Sequence, residues 1–395
     1  MQTATRPPGQ PEPWQRVVSW LSRVFQLNPG GLNWPRAVLF LDIALVPLVV
    51  FWAIGYEQYL LSALFGLLFC WLIDPGGSYG SRVSRIAGFG LIGAGVTALG
   101  FGIGGDAWGW LVLAVSLVTF VAGLAVTFGV HRFVAGMVLN IWFVVALAVE
   151  FSLHTHARVT SYTWAQVLAW AGGSALWIAV TFVAWLLGGR EDRPQPIAEL
   201  PGDTAVRRLT RPVIMFAVIR ALAMGGAAAL AFGLNLSYGY WIAIATMIAM
   251  KPDLGQSTLI AAQRLAGAMI GAAVAALLLL IPANLSGLHL FTVEHGFEIV
   301  ALVFLMHGVA TRFWNYACYT AAIAAGVLIL VDLPQPSSFD AVGWRVLWTL
   351  TGVGIGLIVI LLGGLLGRAT ARPQPQPQPP APQPARQPAG TSQIR

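Results

Sequence analysis

The sequence predicts an all-α polytopic membrane protein of about twelve transmembrane helices, arranged as two parallel six-helix repeats. Three observations carry that prediction. The 395 residues are 57% hydrophobic and only 9% charged, far too apolar for a water-soluble domain. The apolar runs are long and continuous, as helices crossing a hydrocarbon layer require, rather than the short alternating runs of a membrane β-barrel. Finally, a loop recurs: Asp74, Gly76, Ser78, Arg85 and Gly88 are matched at a constant offset of 179 residues by Asp253, Gly255, Ser257, Arg264 and Gly267. Tyr59 matches Tyr238 at the same offset, and Arg132 and Phe133 match Arg312 and Phe313 at 180. A long fixed period preserved over several ordered landmarks signals two copies of one structural unit.

Taken in order, residues 1–35 carry Pro7, Pro8, Pro11, Pro13 and scattered arginines, without the apolar core and cleavage site of a signal peptide. They are predicted to remain as a cytoplasmic segment. Windows of apolar residues then place six spans in a first repeat, residues 36–188: Ala37 to Ile54, Gln58 to Ile73, Ile86 to Ile103, Trp108 to Val130, Phe133 to Leu153 and Thr163 to Leu187. A polar connector, residues 189–211, follows with Arg190, Glu191, Asp192, Arg193, Arg207 and Arg208. The second repeat, residues 212–368, gives Val213 to Leu234, Tyr240 to Met250, Leu259 to Ile281, Glu298 to Val309, Phe313 to Val331 and Val342 to Leu366, the second and fourth being short. Residues 369–395 are a Pro/Gln-rich tail that cannot form a core and is predicted to be disordered.

Orientation follows from the basic residues. With the N-terminus cytoplasmic, nearly all Lys and Arg fall on the inner loops and tails, leaving Arg158 and Arg345 outside and Arg220 within a span. This predicts a multi-pass protein of the bacterial plasma membrane with both termini cytoplasmic. It also accounts for the net charge of +7 without a nucleic-acid partner, and a basic inner face suits anionic membrane lipid. An even number of spans per half makes the repeat parallel, and such repeats commonly place the functional site between the copies.

Catalytic chemistry has no sequence support. There is no Walker A motif, Gly-x-Ser-x-Gly elbow or His-Glu-x-x-His motif, so the chain reads as a non-enzyme without cofactor. Cys70 and Cys318 lie inside apolar runs and read as packing residues. The histidines divide among His131 beside an arginine, His154 and His156 in one external loop, His289 and His295 in another, and His307; no metal site is expected. Trp34, Trp108, Trp110, Trp164, Trp241 and Trp344 stand near span ends, where indole rings sit at headgroup level.

The stretch from Tyr240 and Trp241 to Thr246, then Lys251, Pro252, Asp253, Leu254 and Gly255, then Gln263, Arg264, Gly267 and Gly271, resembles the core of the fusaric acid resistance protein-like family. That family includes aromatic acid exporters and is distantly similar to plant aluminium-activated malate channels. Asn315, Tyr316 and Ala317 resemble its later helix. The first half is a decayed match, keeping Asp74, Pro75, Gly76, Gly77 and Arg85 but not the Tyr-Trp pair. Members often carry a large cytoplasmic region after each membrane half, where this chain has only the connector and the tail. The resemblance implies a plasma-membrane exporter of small organic anions, typically aromatic carboxylates.

Candidate pathway residues follow. Arg264 and Arg85 stand at the cytoplasmic start of the third span of each half, where guanidinium forks would gather carboxylates; the alternative is loop capping or lipid contact. Lys251 adds positive charge there, while Asp253 and Asp74 offer local salt bridges or fix the turn. Arg220 lies within the seventh span with Asp42 near its repeat position in the first, and a pair between them is one reading, interfacial snorkelling the other. In the eleventh span Arg312, Asn315, Tyr316 and Tyr319 share one helical face by their spacing, offering hydrogen bonds and ring faces to an aromatic acid or to neighbouring helices. Tyr240 and Trp241 complete the set. The leading expectation is an exporter of small organic anions, with a homo-oligomer or an efflux accessory protein as partners left open. A passive anion channel with its pore between the repeats, or a nontransporting envelope protein, are the alternatives.

Overall fold

A computed structural model describes residues 19, 22–153, 161–190, 208–250, 258–280, 290–332 and 339–370. Among the described residues there is no β-strand, and twelve helices of ten residues or more follow one another. In the first half these are α1 (Trp34–Ile54), α2 (Leu60–Ile73), α3 (Tyr79–Ile103), α4 (Trp108–Leu124), α5 (Val130–Ser152) and α6 (Thr163–Leu187). In the second they are α7 (Arg211–Ala228), α8 (Tyr240–Ala249), α9 (Thr258–Leu280), α10 (Leu290–Thr311), α11 (Tyr316–Asp332) and α12 (Phe339–Thr370). Six helical segments among them are long and apolar enough to cross a membrane, and shorter apolar helices accompany them. The chain is a multi-pass membrane protein.

Local chemistry sets the boundaries. The Asn33 side chain accepts the Arg36 N–H at 3.2 Å and Pro35 occupies the first turn, so α1 starts there. It ends at Gly55, whose φ of 70° is the left-handed conformation a helix stop needs. Helix α3 begins at Tyr79, about two turns before the span expected from hydropathy, because a helix once nucleated continues through polar residues past its apolar part. Helix α7 opens on Pro212 and continues into a π-helical turn, Ala229–Gly233.

The helices of each half pack on one another in corresponding ways. In the first half α2 lies against α6, α3 against α5 and α6, and α4 against α5; in the second, α8 lies against α12, α9 against α11 and α12, and α10 against α11. Two further packings join the halves, α4 on α7 and α10 on α1. Small residues make these contacts close. A Cβ on Gly173 of α6 would strike the Ala63 carbonyl of α2, and one on Gly352 of α12 would strike the Ile242 carbonyl of α8. Gly267 and Gly271 likewise bring α9 onto Ala317 and Ala321 of α11. Lipid is as apolar as the side chains it would replace, so such close backbone approach, not hydrophobic exclusion, drives helices together in a bilayer.

The interiors of the two halves differ. Phe65, Trp142 and Trp170 stack in series, with ring centroids 4.9 and 5.1 Å apart, and both tryptophans are fully buried. Each indole N–H is satisfied, Trp142 by Thr97 Oγ1 at 2.8 Å and Trp170 by the Gly90 carbonyl at 3.0 Å. The residues 179 positions after Phe65 and Trp170 are Ile244 and Thr349, and 180 after Trp142 is Ala322. All three are smaller.

Candidate functional site

Helix α8 is only ten residues long and runs through the middle of the second half, packed by α12, α7, α9 and, from the first half, α5. Both of its ends meet a buried arginine. Arg220 on α7 is 2% exposed and its guanidinium lies 5.5 Å from the rings of both Phe133 on α5 and Phe216. One of its nitrogens contacts Met247 Sδ near the end of α8 at 3.2 Å. The same sulfur receives Asn140 Nδ2 of α5 at 3.5 Å, and that amide also donates to Thr119 Oγ1 of α4 at 3.0 Å. Thr119, Asn140, Met247 and Arg220 thus form a buried polar seam where α4 and α5 meet α7 and α8.

At the other end, Arg345 on α12 is also 2% exposed and its guanidinium sits 4.5 Å above the Tyr238 ring. Tyr238 has a φ of 59° and Asn235 a φ of 47°, conformations that side-chain-bearing residues rarely adopt. This strained turn delivers the Tyr238 ring beneath the guanidinium, and Trp348 Nε1 fastens it by donating to the Ser237 carbonyl at 2.9 Å. Tyr240 and Trp241, both buried at 5%, open α8 directly afterwards. From Tyr238 to Met247 is nine residues, roughly 14 Å along a helix. The arrangement holds two cations at the two ends of one short helix inside the protein. Aromatic faces, which attract cations, partly replace the water they have lost.

Arg345 corrects the reading of the sequence, which counted it among outer-loop charges. It lies inside α12 and is covered by protein rather than snorkelling to an interface. Its signal was present, since it falls within the apolar window from Val342 to Leu366.

The remaining candidates distribute differently. Asp42 is exposed on α1 and makes no ion pair among the described residues, so the pair with Arg220 does not form. The physical reason is that α1 packs on α10 and α2, whereas α7 packs on α4, α8 and α12. Arg85 is exposed on α3. Lys251 lies outside the described residues; Arg264 lies on α9, but its side chain is outside them. The polar stripe beginning at Arg312 is broken, because α10 ends at Thr311 and α11 starts only at Tyr316, leaving residues 312–315 as a turn. Arg312 turns back over Trp71, 6.0 Å from the ring, and over Phe313. Asn315 donates through Nδ2 to the carbonyls of Val24 at 3.1 Å and Gln26 at 3.0 Å, and its Oδ1 accepts the Cys318 N–H at 2.9 Å. It therefore caps α11 and ties the segment before α1 to the α10–α11 turn. Tyr316 and Tyr319 face each other with ring centroids 5.6 Å apart.

In the recurring loop, Asp74 is an organiser of the turn. Its carboxylate accepts Arg82 Nε at 2.6 Å and a second guanidinium nitrogen of Arg82, Trp177 Nε1 at 3.2 Å and the Gly76 N–H at 3.0 Å. Arg82 is buried and was overlooked as a partner in favour of Arg85. The residue 179 positions after Arg82 is Ala261, so the arginine of this clamp is not repeated. His295, expected in a loop, lies within α10.

A separate crevice of about 640 Å³ opens between α1, α2 and α6, lined by Val46, Val50, Leu168 and Leu176 and edged by Tyr56, Tyr162 and Trp164. It holds none of the charged candidates, and its chemistry suits an acyl chain better than an anion. Among the described residues no group of three metal-binding side chains comes together.

Residues 223–359 match the fusaric acid resistance protein-like family. The matched segment contains α8, Tyr238, Tyr240, Trp241, Met247 and Arg345. No curated protein and no solved structure matches the chain.

Proposed function

We propose that this protein is a plasma-membrane transporter that exports small organic anions, aromatic carboxylic acids foremost, along α8 between two parallel six-helix repeats. The observation that carries the reading is the pair of buried arginines, Arg220 and Arg345, at the two ends of α8. Intramembrane charge is costly and rare, and where it occurs it commonly marks a substrate or ion path. A guanidinium presents donors in a planar fork that fits a carboxylate, and Tyr238, Phe133 and Phe216 around the two cations offer ring faces to an aromatic acid.

The corresponding packings of the halves support the duplication, and the even number of helices in each supports a parallel relation. The abundance of basic residues near the α2–α3, α6–α7 and α10–α11 connections supports a cytoplasmic assignment for that face and for both termini. Arg85 and Arg264, at the start of equivalent helices, would gather anions there; their role is electrostatic concentration rather than tight binding. The chain works without a cofactor and without catalytic chemistry.

The test is flux of a simple aromatic carboxylate, such as benzoate, in vesicles containing the full chain. Wild type is expected to move it, and Arg345→Met and Arg220→Met to reduce the rate by about tenfold or more while remaining monodisperse, since each removes a charged hydrogen-bonding partner. Absence of carboxylate flux in wild type overturns the proposal.

A further inference from the structure

The second seam between the halves, α1 against α10, contains chemistry that the anion path does not use. Glu298 on α10 is 5% exposed within an apolar helix, and its Oε2 accepts the indole N–H of Trp52 from α1. His295 lies three residues earlier on α10, and its ring centroid stands 4.4 Å from that of Trp52 at an interplanar angle of 39°. Residues three apart share a helix face, so the carboxyl, the imidazole and the indole converge on one point of the seam. The equivalent seam, α4 against α7, is lined at its close contacts by Gly123, Ala217, Ser116 and Gly225 and has no such group there. A carboxyl and an imidazole thus stand in the α1–α10 seam, whereas the α4–α7 contact carries small residues and, where it meets α5 and α8, the Arg220 guanidinium.

We infer that Glu298, with His295 and Trp52, is a proton-binding site whose occupancy is coupled to the closure of the α1–α10 seam. The deepest part of the argument is solvation. A carboxyl enclosed by α1 and α10, with an indole donor from Trp52, is held away from bulk water, and the free energy difference between its two protonation states therefore depends on whether the seam is closed or hydrated. By linkage, anything that opens the seam changes proton occupancy, and proton occupancy biases the opening. His295 beside it packs on the same indole, its ring centroid 4.4 Å from that of Trp52. In the protonation step the carboxylate oxygen gains a proton from water and Glu298 becomes neutral; in the reverse step the proton returns to water.

Other titratable groups on the packed elements are distributed along their length. On α1, Arg36 and Asp42 lie in the first half of the helix, well before Trp52; on α10, Glu294 stands one turn before Glu298 with its side chain outside the described residues, and His307 lies about two and a half turns beyond Glu298, its ring meeting Trp34 at 5.3 Å. On α11, Tyr316, Cys318 and Tyr319 lie at the end near His307, whereas Asp332 ends the helix at the level of His295. Coupling of this site to anion movement rests on the transport reading; proton binding itself does not.

The experiment is infrared difference spectroscopy of the full chain in lipid vesicles, stepping the pH between about 4 and 9 to bracket ordinary carboxyl and imidazole titration. Wild type is expected to give a titrating protonated-carboxyl band that is lost in Glu298→Gln, displaced in frequency in Glu298→Asp, and shifted in midpoint by Trp52→Phe, which removes the donor. A band set unchanged in Glu298→Gln overturns the inference, whatever the transport assay gives. In the flux assay, Glu298→Gln is expected to keep carboxylate exchange but to lose the response to a pH gradient by about tenfold. Gradient-driven accumulation that is equal in wild type and Glu298→Gln overturns the coupling. No flux in wild type overturns the transport reading and leaves the spectroscopic result to decide the proton site.

Discussion

At the position 179 residues before Arg345 the chain carries Gln166, and the two residues occupy comparable surroundings. Gln166 is fully buried on α6, donates from Nε2 to the Gln58 carbonyl at 3.1 Å and Ser161 Oγ at 3.1 Å, and accepts from Ser62 at Oε1. Tyr59, the counterpart of Tyr238, is the next residue to Gln58. A neutral amide with its partners supplied thus stands where the other half holds a guanidinium over a ring. Arg345→Gln is expected to leave the melting temperature nearly unchanged, because the second half accommodates an uncharged side chain more cheaply than a charge, and to lose carboxylate flux. Gln166→Arg is expected to destabilise on the order of 2–3 kcal/mol, since it orphans Ser62 and Ser161 and buries a charge. Thermal unfolding in detergent separates the two. Arg82→Ala should behave like the latter, because Asp74 would keep its place with the guanidinium gone; Asp74→Asn in the same background should recover part of the loss. The sequence made Arg220 conspicuous but concealed Arg345 and Arg82: a charge near the end of an apolar run reads as a loop charge, and only tertiary packing tells a covered arginine from a snorkelling one.

Among the helices, what hydropathy revealed and what it hid follow the same physical divide. The apolar runs of α1, α2, α4 and α6 end where water begins, and their observed limits agree closely with the expected spans. Helices α3 and α10 extend beyond their apolar parts, because helix formation continues through polar residues once nucleated. The α10–α11 turn ran against expectation for a specific reason: Asn315 binds three groups of the main chain, and this holds residues 312–315 out of the helix whose face they were expected to share. Small residues give a sharper test at this scale. On α3, a Cβ on Gly93 would strike the rigidly buried Trp170 ring, whereas a Cβ on Gly88 would meet nothing within 4 Å. Gly93→Ala is therefore expected to cost about 1–3 kcal/mol from overpacking. Gly88→Ala should stabilise by about 0.5–1 kcal/mol through lower backbone entropy in the unfolded chain. Opposite signs from one substitution on one helix, read from chemical unfolding, would bear out this packing; equal effects would count against it.

For the whole molecule, the two halves pack in corresponding ways, as the proposed duplication requires, and their differences explain why they need not act alike. Three stacked rings, Phe65, Trp142 and Trp170, fill the first half where Ile244, Ala322 and Thr349 stand in the second; the buried arginine of the first half, Arg82, is paired with Asp74, whereas Arg220 and Arg345 of the second lie against rings. A solidly filled half and a half with small residues around a short charged helix suit a scaffold and a moving part, which meet most extensively along α4–α7 and α1–α10, with α5 touching α8 between them. This asymmetry was partly legible, since the recurring loop and its family resemblance are better preserved in the second copy. The pairing of α4 with α7 was not, because contacts between copies leave no periodic trace in a single sequence.

The seam geometry separates a transporter that rocks its halves from a channel that does not. A Cβ on Gly123 of α4 would stand 3.0 Å from the Ala217 Cβ of α7, near enough to disulfide spacing for a small adjustment to form the bond. In a background with Cys70 and Cys318 replaced by alanine, Gly123→Cys with Ala217→Cys should oxidise readily and fasten the halves together. As a control, Gly136→Cys with Ala125→Cys joins α5 to the turn just after α4 inside one half, where the corresponding Cβ distance is 3.3 Å. If export requires the seam to open, oxidation of the first pair stops carboxylate flux and a reductant restores it, while the control pair leaves the rate close to that of the reduced protein. A static pore would conduct equally with either pair oxidised. The outcome depends on the freedom of the seam rather than on any binding residue, so it tests the movement independently of Arg220, Arg345 and Glu298.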